Sequence, residues 1–271
     1  MTWAGYDEDF LGVPAPIPRP LDGRDLRELA YPRFTVLLDP QRRFAVSTAV
    51  AIDGEALQDI RRQGRWRLDT RVVRREQAGA TIYANNDLDR GHLVRRSDPG
   101  WGTVEEALEA TTATFYYPNA APQASGFNQS KELWVGLEDH MLQYADAADL
   151  RVAVFTAPVL DDNDPPYKDI QIPRKFWKIA AWSSTRAPEE PVLAATGFVL
   201  DQSDLIEVED GLLAVAPLGA FRTYQTPISD LAELAGIDAG PLIDADVLTS
   251  PGLLSTPKWH ELASTADIAL A

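Results

Sequence analysis

The sequence predicts an α+β domain with a central, largely antiparallel sheet flanked by helices. Three observations carry that expectation. Apolar runs of strand length, rich in β-branched and aromatic residues, recur along the 271-residue chain between turn residues. Helical periodicities are few and stand apart from those runs, rather than alternating with them as βαβ units would. No run reaches eighteen apolar residues, so the chain reads as a water-facing protein with no spanning helix.

The first thirty residues are rich in acidic side chains and carry Pro14, Pro16, Pro18 and Pro20 at alternate positions. They read as an extended arm over 1–30, ahead of a single domain over 31–271. Phe34–Leu38 and Phe44–Ile52 form two strands joined by the turn Asp39-Pro40-Gln41, and Asp53-Gly54 closes the hairpin. The arginine-rich stretch 61–75 lacks periodicity and reads as loop. A helix is expected over 104–114, with Thr103 as N-cap and Glu106 three residues on completing a capping box. Phe115-Tyr116-Tyr117 favours a short strand ending near Asn119. Leu133, Leu137, Met141 and Tyr144 give residues 129–145 the clearest helical face in the chain. Three further strands are expected at 152–156, 176–182 and 192–200. A last helix runs from Pro227 to Ala235, with Gly236 just past its end.

The residues most able to do chemistry gather in Asn85-Asn86-Asp87-Leu88-Asp89-Arg90-Gly91-His92-Leu93. The chain has only three histidines. Imidazole titrates near neutral pH, so His92 suits a general base. Arg90 offers a planar fork for phosphate oxygens, Asp89 can orient the local backbone or Arg90, and Gly91 permits a tight bend. Downstream, Asn128 and Glu138 suit a hard cation such as Mg²⁺, which takes few protein oxygens and keeps most of its water. Taken singly, each has a plainer reading: a surface turn for Asp89–His92, an N-cap for Asn128, a solvated helix residue for Glu138. His140 and His260 read as surface or structural positions. Asp161-Asp162-Asn163-Asp164 has calcium-loop character, but Pro165-Pro166 follows and no closing glutamate is in place, so a polar turn is the better reading.

The formal net charge of −16 disfavours nucleic acid as a partner at first sight. Its distribution reverses that. Residues 61–96 hold ten arginines against four acidic residues, a local excess of +6, while the rest of the chain carries −22. Positive charge is focused around the central motif, which suits a phosphate-attracting site, although a solvated arginine-rich face fits the count equally. There are no cysteines, so disulfides and thiolate metal sites are excluded. The acidic N-terminus has no apolar segment of signal-peptide type, so the protein is expected in the cytoplasm as synthesised, with leaderless export or delivery as the alternative.

Four motifs in order carry a resemblance: Asp89-Arg90-Gly91-His92, Asn119 through Pro122-Gln123, Asn128-Gln129, and Trp134 through Leu137-Glu138. Together they resemble the DNA/RNA non-specific endonuclease family, which includes endonuclease G, over about residues 32–240. That resemblance implies a ββα-metal fold of the His-Me finger type and sequence-non-specific, Mg²⁺-dependent cleavage of DNA and RNA leaving 5′-phosphate ends, with Mn²⁺ as a substitute ion. It implies His92 as general base, Asn128 as direct metal ligand, Glu138 holding the metal's water shell, Asn119 shaping the site and Arg90 against the substrate phosphate. Asn128 and Glu138 stand ten residues apart, where several members have eight. An upstream arginine near an aromatic residue is also implied; Arg61, Arg62 and Arg65, all close to Trp66, are the candidates. Homodimerisation and an inhibitor or regulatory partner are expectations of the same kind, with no membrane partner. The rival readings are a nuclease effector held inactive by a partner or assembly, and a relative that binds nucleic acid without cutting it.

Overall fold

The computed structural model describes residues 3–125, 151–185, 191–209, 212–215, 222–249 and 259–269. The helix expected over 129–145 lies outside them. Ten strands matter here: β1 (Arg27–Tyr31), β2 (Phe34–Asp39), β3 (Phe44–Asp53), β4 (Leu88–His92), β5 (Ala120–Ala124), β6 (Arg151–Val159), β7 (Lys175–Thr185), β8 (Pro191–Asp201), β9 (Arg222–Thr226) and β10 (His260–Glu261). Eight of them make one sheet in the order β10-β9-β8-β7-β6-β3-β2-β1, and every pairing in it is antiparallel. The remaining two, β4 and β5, pair only with each other.

Both faces of the large sheet are covered, which is why its central strands read as continuous apolar runs rather than as alternation. Side chains still alternate in direction. Val154, Phe176, Ala180, Trp182 and Phe198 point into one core together with Leu88, Leu93, Val94, Ala120 and Ala124 of the β4–β5 region. Their neighbours Phe155, Trp177, Ile179, Ala181 and Val199 point into the other. That second core is closed by Tyr6, Leu11, Ala15 and Ile17 of the proline-rich arm and by Ile228 and Leu231. The arm is therefore packed against the sheet. Its Arg19–Pro20 segment pairs with Ile237–Asp238, and β1 forms one edge of the sheet.

Helix α1 (Val104–Ala113) carries the expected capping box. Thr103 accepts from the Glu106 amide, and the Glu106 carboxylate accepts from the Thr103 amide at 3.0 Å. Helix α2 (Ile228–Ala235) ends at Gly236, whose φ of 65° is left-handed. Pro227 sits at its N-cap, one position before the expected first turn, and the Asp246 carboxylate accepts from the Ile228 amide at 2.8 Å. None of the described helices is long and apolar enough to cross a membrane.

Two expectations need correction. Phe115-Tyr116-Tyr117 is not a strand. Tight bonds from the Phe115 amide to the Thr112 carbonyl and from Tyr116 to Ala113 continue the turn of α1, and Tyr117–Asn119 is a short 3₁₀ segment. Pro118 has no N–H for a ladder, and the aromatic rings pack across the chain, so strand pairing begins only at Ala120. Gly91 does not make a bend either; it lies inside β4, opposite Ala121.

The order of the sheet has a topological consequence. Strands β3 and β6 are neighbours, with Asp53 directly opposite Arg151 and their side chains 3.4 Å apart. The described residues from 54 to 125, including β4, α1 and β5, fall between these two strands in the chain and lie outside the eight-stranded sheet.

Candidate active site

The β4–β5 pair sets the geometry. Its register places His92 opposite Ala120 and Arg90 opposite Pro122. Two-residue periodicity then puts Arg90 and His92 on one face of β4, and Asp89 and Gly91 on the other. Gly91 is required by close approach: a Cβ there would stand 2.1 Å from the Gln123 side chain, which is itself buried. Any larger residue would have to displace the buried Gln123 side chain.

Asn119 fastens the strand just beyond His92. It is fully buried. Its Oδ1 accepts from the Val94 amide at 2.8 Å, and its Nδ2 donates to the carbonyls of Val94 at 2.9 Å and Thr114 at 3.0 Å. The Leu93 amide also donates to the Asn119 carbonyl at 3.0 Å. One amide side chain thus ties together the end of α1, the start of β5 and the backbone following His92.

The imidazole of His92 is walled by aromatics. Trp66 lies 4.5 Å away between ring centroids, and Phe115 meets it edge-on at 4.9 Å. Trp66 is held there because the loop zips onto the segment after α1: the Arg67 amide donates to the Phe115 carbonyl and the Tyr117 amide to the Arg67 carbonyl, both at 3.0 Å. Gly64, with φ of 142°, lets that loop pass, since a Cβ would stand 2.3 Å from the Phe115 ring. The Nε2 of His92 is sealed from solvent and has no hydrogen-bond partner among the described residues. Burial, then the charges of Arg62 and Arg96, push its pKa down from 6.5 to about 3. The ring is therefore held neutral, with a lone pair available.

Of the three upstream candidates, Arg62 is the one whose charge acts on His92; all three of Arg61, Arg62 and Arg65 are exposed. Arg96 was not singled out by sequence. It donates from Nη1 to the Ile60 carbonyl at 2.7 Å, which ties the 58–62 loop to the segment after β4. Its only sequence signal is position, four residues past His92. Arg90 lies over the Tyr83 ring at 5.3 Å, and its Nε is buried without a hydrogen bond among the described residues. Asn128 and Glu138 lie outside the described residues, as does His140. His260 is exposed on β10. The Asp161–Asp164 loop is a turn: Asp161 Oδ1 accepts from the Asn163 amide at 2.8 Å, and Asp164 Oδ2 from Arg42 at 3.0 Å.

With this geometry in place, comparison with known proteins is direct. The family model for DNA/RNA non-specific endonucleases matches residues 19–246. The chain belongs to the DNA/RNA non-specific endonuclease family. Its sequence is also 33% identical over 290 aligned residues to the uncharacterized protein y4fB of Sinorhizobium fredii (strain NBRC 101917 / NGR234). That alignment takes in 97% of this chain but only 42% of the relative, so the chain spans less than half of that protein's length. In three dimensions the chain resembles one from the crystal structure of the EndoG/EndoGI complex, which concerns the mechanism of EndoG inhibition. The TM-score is 0.57 at 18% identity, covering 79% of this chain and 85% of that one. At that identity the likeness establishes the endonuclease G-like fold, with its large antiparallel sheet and few helices.

Proposed function

We propose that this endonuclease is Mg²⁺-dependent and sequence-non-specific, hydrolysing phosphodiester bonds of DNA and RNA to leave 5′-phosphate ends, with His92 as the general base. The carrying observation is the placement of His92: on the β4–β5 pair, beside Trp66 and Phe115, and among the charges of Arg62 and Arg96. A base must be unprotonated to accept a proton; burial first, then the neighbouring guanidiniums, favour that state, and the guanidiniums also favour the approach of an anionic phosphate. His92 would take the proton of the attacking water. Arg62 and Arg90 would hold the phosphate oxygens. Asn119 would position the backbone that follows His92, and Asp89 supports β4 from its other face.

The described residues contain no cluster of three histidine or acidic side chains suited to a metal. A hydrated Mg²⁺ does not need one, because it binds through one or two protein oxygens. Asn128 is the residue proposed to hold it and Glu138 its water shell; bound there, the ion would supply charge for phosphorus and the leaving oxygen. Mn²⁺ is the expected substitute. The test is purified protein on plasmid DNA and on RNA, with Mg²⁺ or EDTA, followed by labelling of the ends. Turnover undiminished in EDTA, or ends that carry 5′-hydroxyls, would sink this reading.

A second reading, that a partner or an assembly holds the nuclease silent, has support in the fold neighbour, which was solved in complex with its inhibitor. Full activity of the isolated protein, harmless at high expression in a host cell, would remove its basis. Homodimerisation is checked by light scattering.

A further inference from the structure

Trp66, which lies beside His92, also lines a cleft of about 240 Å³, with Arg43, Arg67, Arg74, Gln77 and Tyr117 in its lining. We propose that this cleft is a second phosphate subsite, gripping a backbone phosphate of the nucleic-acid strand that flanks the bond to be cut. The inference rests on the nuclease reading above and adds to it a set of residues that the site around His92 does not use.

Three guanidiniums line the cleft and no carboxylate does. Three arginines outside the lining are paired: Arg71 with Asp69 at 2.6 Å, Arg27 with Glu76 at 3.2 Å and Arg42 with Asp164 at 3.0 Å. The three that face the cleft are treated differently. Arg43 donates to two neutral backbone carbonyls, of Asp169 at 3.1 Å and Gln77 at 3.0 Å, which fix the guanidinium without cancelling its charge. The nearest carboxylate, Asp169, is 4.0 Å away and 89% exposed. Arg67 lies over the Tyr116 ring at 4.2 Å, and Arg74 projects from the short 3₁₀ segment Arg74–Glu76. Neither forms an ion pair with any described residue. Apart from the exposed Asp169, 4.0 Å from Arg43, no carboxylate offsets these three arginines among the described residues, and the cleft lining keeps a positive charge.

The aromatic wall argues for a phosphate rather than a base. Trp66 is stacked on Tyr117 at 5.7 Å and lies tilted beside His92 at 4.5 Å, and Tyr117 stacks on Tyr83 at 6.1 Å. The rings are thus engaged with one another, and the recognising groups are the arginines, whose guanidinium forks match a phosphate oxygen pair. A concave, low-dielectric wall also concentrates their field. Because Trp66 both lines the cleft and lies 4.5 Å from His92, a strand with one phosphate at His92 would carry a flanking phosphate toward the arginines.

The experiment compares wild type with Arg67→Gln/Arg74→Gln, both exposed positions, and with Arg19→Gln, an exposed arginine remote from the site, as the charge control. Two quantities are read: the ratio of kcat/KM for a long oligothymidylate over that for a thymidine dinucleotide, and the salt dependence of oligothymidylate binding in EDTA. We expect the double variant to lose about tenfold in the ratio, the scale of one lost charge-assisted contact. Its log K against log salt slope should become shallower by about 0.7, the contribution of one phosphate on a single strand. Arg19→Gln should leave both quantities as in wild type. An unchanged ratio with wild-type cleavage overturns the subsite and leaves the nuclease reading intact, as does an equal loss on both substrates. If wild type cuts neither substrate, the nuclease reading falls and the slope alone decides: a drop confined to the double variant supports the subsite, and an unchanged slope overturns it.

Discussion

Replacing Asn119 with aspartate tests whether one buried amide holds the backbone after His92. The substitution is nearly isosteric and keeps the acceptor for the Val94 amide. It removes the NH₂ group and leaves a carboxylate oxygen facing the carbonyls of Val94 and Thr114, now 2.9 and 3.0 Å from Nδ2. Two buried backbone acceptors lose their donor, at about 1–3 kcal/mol each, so Asn119→Asp should cost about 2–6 kcal/mol. For a chain of this size that lowers Tm by roughly 5–20 °C. The pH dependence gives a second check. The new carboxyl is buried against acceptors, so its folded-state pKa lies above the unfolded value of about 3.9. The folded state then holds the extra proton, and the variant loses stability as pH rises through that interval. At low pH the protonated group can donate to one carbonyl, and part of the deficit returns. The assay is thermal unfolding followed by circular dichroism across pH, with wild type alongside. A variant within about 2 °C of wild type, with the same pH profile, would refute the argument that this network fastens the strand.

Four further outcomes are expected. His92→Ala should lower the cleavage rate by about 10²–10⁴, measured on plasmid relaxation. Wild type should lose stability as pH falls from the ordinary histidine value of 6.5 toward about 3, because only the unfolded state takes up the His92 proton there; the stability is complete above 6.5, and His92→Gln should flatten that part of the profile. Arg62→Ala should reduce kcat/KM more than Arg61→Ala or Arg65→Ala, since Arg62 is the candidate whose charge acts on His92; equal losses across the three would remove that distinction. Gly91→Ala should be destabilised by about 1–3 kcal/mol, because its Cβ must displace the buried Gln123 side chain, and denaturant titration reads the difference.

What the sequence made legible follows local physics. The β-branched runs that became β2, β3, β6, β7 and β8 announce themselves because both sheet faces are buried. The capping box of α1 and the Gly236 stop of α2 are written in three or four adjacent residues. The His92 neighbourhood was legible through ordered motifs, none of which decides anything singly. What stayed hidden depends on contacts between distant positions. Trp66, Phe115 and Tyr117 form one wall only after the loop zips onto the segment past α1. The same long-range packing draws Phe115–Tyr117 out of the strand their composition favours. Gly91 looked like a hinge because glycine's usual signal is a turn, whereas here it yields space to a side chain on the facing strand. Three arginines within five residues are equivalent on paper, and only the folded loop singles out Arg62.

The described residues from 54 to 125 fall between two strands that meet at Asp53 and Arg151. The residues proposed for chemistry and the large sheet therefore occupy separate stretches of the chain, as a cassette and its frame. A tight turn joining those two residues would preserve every strand pair of the eight-stranded sheet, and a foreign cassette with closely spaced ends could be spliced in at little loop-closure cost. The cassette is also a lid. Leu88, Leu93, Val94, Ala120 and Ala124 belong to the core on one face of the frame, so excising the segment that holds the proposed site would uncover part of that face. A lineage can thus retune the chemistry within this segment, but it cannot discard it without finding another cover for the core.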